Sequence, residues 1–437
     1  MRYHLFLIVL LPLFFTAAVR TDYKTQEIRF PTYKGLVMTG YQGWFNTSDD
    51  GAGRGWFHYQ RNGKFEPGNC TIEFWPEMYE YEIQYETAFR YPDGRVATVF
   101  SSYDYSTVDT HFRWMKEYDI DGAFLQRYMA AEKSASFSNN AWQILKHTLT
   151  ASKKYDRVIS IMYAWDVNFV PGDEEILIRD WKRLVDELDI KNPRKYNILY
   201  HNGKPLVTLW GAGFAGETRR YDLDEVEKIV DFLSNDPDYG GCSVMLGVPT
   251  TWRDPLIRGS DAVNDPRLMQ ILEKVDIIAP WHVDRYRGFY LREGTYQTVL
   301  DIVGDDIAWC KANGKDYAPC IFPGCSMLNL RNINDPESPE FFHWSPRLKG
   351  EYMWMMVANA VRHGADMLYI AMFDEIDEGT AIFKITNDPP RSDPKRGGSY
   401  FFDLEGMPSD HYLWLSGMAG KMMRGEILFT DKVPQRK

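Results

Sequence analysis

Residues 367–380 read MLYIAMFDEIDEGT, an apolar run that stops abruptly at Asp374, Glu375, Asp377 and Glu378 and is followed by Gly379. A short unbroken apolar run suits a strand buried on both faces, and the crowd of carboxylates marks where that strand leaves the core. Carboxylates packed this closely repel one another, so in an enclosed site at least one of them keeps its proton near neutrality. The segment therefore predicts a buried strand with an acid/base pair at its C-terminal end.

Working outward, similar apolar runs occupy 36–44, 122–128, 158–165, 206–210, 243–248, 277–281 and 318–322. Apolar residues three and four apart predict helices over 108–118, 141–154, 174–188, 223–233, 298–313 and 352–363, with a closing helix over 411–424. Eight alternations of strand and helix predict an α/β fold, a single (β/α)8 TIM-type barrel with long βα loops, ahead of a doubly wound open sheet.

In such a barrel the C-terminal strand ends converge on one face, where active sites are built. Here those ends supply Tyr41, Gln42 and Trp44, Gln126 and Arg127, Tyr163, Trp165 and Asp166, Trp210, Trp252 and Arg253, and Trp281 and His282. His58 joins them from a long insertion over 46–106, rich in aromatic residues and expected to roof the pocket. Aromatic faces cover the apolar faces of sugar rings while polar edges reach hydroxyls, so the ring of residues suits a carbohydrate. Core packing is the competing role for each aromatic, and a helix cap for Asp166.

The 437 residues are 25% charged and 44% hydrophobic, the balance of a soluble globular protein, and no interdomain linker divides 21–437. A formal net charge of −11 argues against nucleic acid, which needs a basic surface. Arg2, the apolar run 5–15 and the small Ala17 and Ala18 have the layout of a cleavable secretory signal over 1–20, too short for a membrane span. The junction carries no cysteine for a lipid anchor, so the expected location is secreted or periplasmic, with no membrane span after signal cleavage. Five cysteines fit neither an even disulfide framework nor a zinc spacing. The acidic cluster could hold calcium, but its spacing matches no EF-hand loop, and neither metal nor cofactor is expected.

Residues 373–380, FDEIDEGT, resemble the Phe-Asn-Glu-Trp-x-Glu-Gly-Thr segment at the last strand of glycoside hydrolase family 99, the endo-α-mannosidases and endo-α-mannanases, to which the family 71 α-glucanases are related. Tyr41-Gln42-Gly43-Trp44-Phe45, Trp56-Phe57-His58 and Met162-Tyr163-Ala164-Trp165 add scattered similarity. Asp374 stands where the family has Asn, and Ile376 where it has Trp. The resemblance implies hydrolysis of an α-linked, mannose-containing oligo- or polysaccharide with retention, Glu375 acting as base and Glu378 as acid. A xylosidase or arabinosidase on the same barrel and a non-catalytic carbohydrate-binding protein are the alternatives.

Overall fold

The computed structural model describes residues 28–165, 169–216, 222–285, 290–292, 295–332, 345–393 and 396–436. Asp166 and the signal segment 1–20 lie outside these residues.

Eight parallel strands form a closed barrel: β1 (Val37–Tyr41), β2 (Gly122–Tyr128), β3 (Val158–Ala164), β4 (Lys204–Trp210), β5 (Ser243–Val248), β6 (Ile277–Pro280), β7 in two pieces (Asp316–Tyr317 and Cys320–Ile321), and β8 (Leu368–Ile370). Each strand pairs with its sequence neighbours, and β8 returns to β1 with Val37 opposite Leu368. The strands are buried almost throughout, which is why they read as continuous apolar runs rather than as alternating ones.

The seventh strand is where expectation and structure differ most. It was expected as one run over 318–322, but Pro319 has no N–H to give the ladder, and the strand changes partner there. Ala318 N–H donates to Ile278 O on β6 at 2.9 Å, whereas Pro319 O accepts from Tyr369 N–H on β8 at 3.2 Å. The barrel is thus closed by a strand that bonds one neighbour with its first half and the other with its second.

The surrounding helices are α1 (Tyr105–Glu117), α2 (Ala135–Tyr155), α3 (Glu174–Leu188), α4 (Leu223–Asn235), α5 (Arg267–Lys274), α6 (Val299–Ala312), α7 (Glu351–Arg362) and α8 (His411–Met423). Their buried residues recur at helical spacing, as Val226, Ile229, Val230 and Leu233 do on α4. Helix α2 begins at Ala135 rather than 141, because the polar run Ser136, Ser138, Asn139 and Asn140 hides its first turns. Short α5 buries only Leu268, Ile271 and Leu272, too little pattern to read in advance.

Inside the barrel, below its C-terminal mouth, Tyr369 and Met372 occupy the space beside Gly40. A Cβ on residue 40 would lie 2.3 Å from Met372 Sδ and 2.5 Å from the Tyr369 hydroxyl, so only glycine lets these side chains fill the floor. The insertion after β1 carries an antiparallel hairpin (Tyr85–Arg90 with Val96–Val99) and packs onto the chain beyond β8. Glu73 N–H donates to Ile376 O at 3.2 Å, Glu77 N–H to Lys384 O at 2.9 Å, and Thr386 N–H to Trp75 O at 3.0 Å. All five cysteines are free and buried, and burial pushes the Cys242 thiol up to about 12. Among the described residues no helix is long and apolar enough to cross a membrane.

Candidate active site

After β8 the chain turns inward, and its four acids stand in different surroundings. Asp374 faces the first strand: its Oδ1 accepts from Gln42 N–H at 2.9 Å and its Oδ2 from Gly43 N–H at 2.8 Å. Two backbone donors aimed at two oxygens suit a carboxylate, which gives a physical reason for Asp here. An Asn would turn an amide N–H toward one of those donors. Asp374→Asn is therefore expected to leave one buried amide unpaired and to lower stability by about 1–3 kcal/mol, read as a lower melting temperature. An unchanged midpoint would show that the turn readily finds another partner.

Glu375 is 3% exposed and held at both oxygens. Gln42 Nε2 donates to Oε1 at 2.8 Å, and Thr380 Oγ1 donates to Oε2 at 2.9 Å. The Gln42 carbonyl is in turn fixed by the Tyr128 hydroxyl at 2.9 Å. Asp377 is bound by His58 Nδ1 at 2.7 Å. His58 has φ of +61°, a left-handed conformation that a short loop must impose, and its carbonyl accepts from Thr71 Oγ1 at 2.6 Å. The His58 ring stacks on Trp44 at 3.7 Å, and Trp44 lies 5.1 Å from Tyr128.

Glu378 is the least enclosed of the four. Its backbone is pinned by Ser326 N–H, which donates to Glu378 O at 2.9 Å, and by the tight approach that follows. Gly379 has φ of +67°, and a Cβ there would stand 2.9 Å from Ser326 N, so the turn requires glycine. Buried Arg347 then clasps the turn from below, donating to Gly379 O at 3.0 Å and Ala381 O at 2.6 Å.

Burial is the main cause of the shifted acidities, and the neighbouring acids add to it. Asp374 is pushed up to about 7 against its two amide donors. Glu378 is raised to about 7 by burial and by Asp377, while Arg331 pulls the other way. Glu375 is raised by burial and by Glu378 and Asp377, and the Thr380 hydroxyl opposes this. Two adjacent carboxyls that repel each other retain one proton between them near neutrality. The donors aimed at Glu375 favour the charge there while burial and Glu378 oppose it, so the proton belongs to the pair and not to either residue alone.

The two glutamates open into a cleft of about 490 Å3 whose other walls are Trp210, Trp281, Met327, Arg331, Asp284 and Arg285. The rings of Trp210 and Trp281 meet edge to face at 5.3 Å. Of the sequence-derived residues, Glu375, Glu378, Trp44, Gln126, Trp210 and Trp281 gather around this cleft. His58 reaches the same neighbourhood through Asp377 and Trp44.

The remaining sequence-derived residues are placed elsewhere. Tyr41 is fully buried, its hydroxyl 2.9 Å from His111 Nδ1. Arg127 and Tyr163 turn outward from β2 and β3 onto Asp180 of α3, which accepts from Arg127 Nη2 at 2.5 Å and from the Tyr163 hydroxyl at 2.9 Å. Trp165 is buried against Phe169. Trp252 and Arg253 both bond Asp306 of α6, at 2.8 and 2.5 Å. His282 is buried between Thr250 and Tyr317, and burial lowers it to about 3, so it is neutral. Arg127 follows cleft-facing Gln126 by one position, and a one-residue step along a strand reverses the face.

Of the wall residues at strand ends, Gln42 is among those read from the sequence, and Tyr128, one step past Arg127, is not. Asp284, Arg285 and Met327 lie in irregular loops and Arg331 ends a one-turn helix (Leu328–Arg331), with no periodic signal to find them. Among the described residues no cluster of three or more His, Cys, Asp or Glu is arranged to hold a metal ion.

No protein-family model matches the chain, and no curated protein does. Solved structures give the likeness. The family 99 endo-α-mannosidase of Bacteroides thetaiotaomicron, in two structures, one of them with bis-tris-propane, matches 90% of this chain and 99% of its own, with TM-scores of 0.60 and 0.59 at 15% identity. The chain has the (β/α)8 fold of that glycoside hydrolase, and at this identity the likeness is one of fold.

Proposed function

We propose that this protein is an exported glycoside hydrolase that cleaves α-linked, mannose-containing glycans with retention of configuration. The observation that carries the reading is the pair Glu375 and Glu378 just beyond β8, sharing one cleft with Trp210 and Trp281. Likeness in fold to an endo-α-mannosidase over nearly the whole chain supports it.

Glu375 takes the proton of the sugar 2-hydroxyl. That oxygen attacks the anomeric carbon as the glycosidic bond breaks, and Glu378 gives its proton to the departing oxygen. The product at this stage is a 1,2-anhydro sugar. Glu378 then removes a proton from water, the water oxygen attacks the anomeric carbon, and Glu375 returns its proton to the 2-oxygen as the three-membered ring opens. Two inversions give net retention. Both acids come from one short loop, whereas a double displacement through a glycosyl-enzyme wants carboxyls about 5 Å apart on either side of the bond. The 2-hydroxyl route asks one group to serve the 2-oxygen and its neighbour to serve the leaving oxygen, which adjacent positions allow.

The test is incubation of the protein with α-mannans, α-glucans and aryl pentosides, with released sugars followed by chromatography and the first-formed anomer by NMR. Release of mannose-containing products as the α-anomer is expected. Cleavage of pentosides alone moves the substrate to that class, and no cleavage of any of the three defeats the hydrolase reading.

A further inference from the structure

Beside the carboxylate cleft lies a second cavity of about 450 Å3, and the two share a wall made of Gln42, Trp44, Gln126 and Tyr128. Its far side is built by Leu125 of β2, Ala141 and Ile144 of α2, Phe137 of the same helix, and Phe57 of the insertion. The cleft presents charged groups of both signs, whereas this chamber is walled largely by hydrocarbon. A sugar carries hydroxyls around its whole rim and each wants a partner; Gln42, His58, Gln126, Tyr128, Ser134 and Asn140 border this chamber, but most of the surface it exposes is hydrocarbon, which favours a ligand with apolar faces.

Two arginines stand in the lining: Arg127 is already paired with Asp180 and Glu132, and Arg54 is not so held. The Arg54 guanidinium lies over the rings of Phe57 and Phe137, 3.8 and 4.0 Å from their centres, and its Nη1 donates to Asn46 Oδ1 at 2.7 Å. Its Nε is buried and has no hydrogen-bond partner among the described residues. Burial lowers this group to about 10, so it still carries its charge at neutral pH. A guanidinium held flat by two rings in the chamber lining is a fixed cation for an anionic acceptor, and the charge makes such a bond a strong one.

We propose that this chamber binds an aromatic carboxylic acid, the ring lying in the apolar lining and the carboxylate on Arg54. Because Gln42 forms part of the wall and also holds Glu375, the bound acid abuts the position where a sugar would react. The acid is either a substituent of the glycan or a free small molecule, and one titration separates the two.

The experiment is a calorimetric titration of the whole protein with 2-naphthoate, repeated with neutral 2-acetylnaphthalene and with the variants Arg54→Met, Ala141→Phe and Glu378→Gln. The expected result is one naphthoate per chain. The neutral analogue and Arg54→Met each weaken binding by about tenfold or more, the worth of one charge-assisted hydrogen bond. Ala141→Phe fills the chamber and abolishes binding, and Glu378→Gln leaves it unchanged because Glu378 lines only the cleft. Displacement of naphthoate by an oligomannoside identifies a substituent of the substrate, and simultaneous binding identifies a free ligand. No saturable binding, or equal affinity for the charged and neutral probes on the wild-type protein, overturns the proposal without reliance on any variant folding. The readout needs no turnover, so a protein that binds naphthoate but cleaves no glycan would defeat the hydrolase reading and leave this one standing.

Discussion

Glu375→Gln and Glu378→Gln are each expected to lower turnover by roughly 10²–10⁴-fold, the usual contribution of a positioned acid or base, while the protein stays folded. Gln keeps the shape of either side chain, so the cleft is preserved and only proton transfer is lost. Stability should separate this from a folding defect, and the sign can be worked out. Burial and Asp377 raise Glu378 from its ordinary 4.5 to about 7, so folding is favoured by the protonated form and that advantage is lost as pH rises between those values. Removing the ionisable group removes the loss. The Glu378→Gln variant is thus expected to melt at or above the wild-type temperature at pH 8, and to differ little at pH 4. Wild-type turnover is expected to fall above about pH 7 as Glu378 gives up its proton. Two variants that fold and turn over like the wild type would reduce the pair to a structural acidic loop.

The second large effect is expected far from any sugar. Arg347→Met should cost both stability and turnover, because this one side chain holds the turn that carries Glu378. Its Nη2 bonds Gly379 O and Ala381 O, and its guanidinium is sandwiched between Phe74 and Tyr412, 4.2 and 4.5 Å from their ring centres. Met fills much of the same volume but leaves two carbonyls without their donor, at about 1–3 kcal/mol each when they stay buried. Burial of the cation is itself unfavourable and lowers it to about 10, which offsets part of the loss. A net destabilisation of about 2 kcal/mol is expected, with turnover reduced by roughly ten- to a hundredfold through misplacement of Glu378. Arg347→Lys, which keeps the charge but not the fork, should recover little of either. Turnover at the wild-type level in a destabilised Arg347→Met protein would show that the glycine turn holds Glu378 by itself.

The barrel was legible because its strands are buried on both faces and so stand out as apolar runs between amphipathic helices. The place of the eighth strand could be read, although its ladder ends at Ile370 and not at Phe373, and so could the cleft positions of Trp44, Gln126, Trp210 and Trp281. What could not be read was orientation. Arg127 is one step from Gln126, yet it points to Asp180, and Trp252 follows a well-placed strand but turns to Asp306. Such outcomes depend on acids supplied by helices far along the chain. The Asp374 turn was similarly hidden: an Asp in place of the family's Asn looks like a departure until the two amides of Gln42 and Gly43 are seen facing it.

The divided seventh strand has a consequence for how the molecule breathes. Adjacent strands elsewhere in the ring are bonded over longer stretches, as β2 and β3 are from Gly122 to Tyr128, whereas each half of β7 holds one neighbour over only two residue pairs. Opening of a folded protein concentrates where such bonds are few. The ring therefore has a preferred parting line, and it runs between the side that carries Trp281 and the side that carries Glu378. Amide hydrogens along that line are expected to exchange before those of the β1–β5 arc, which stays bonded.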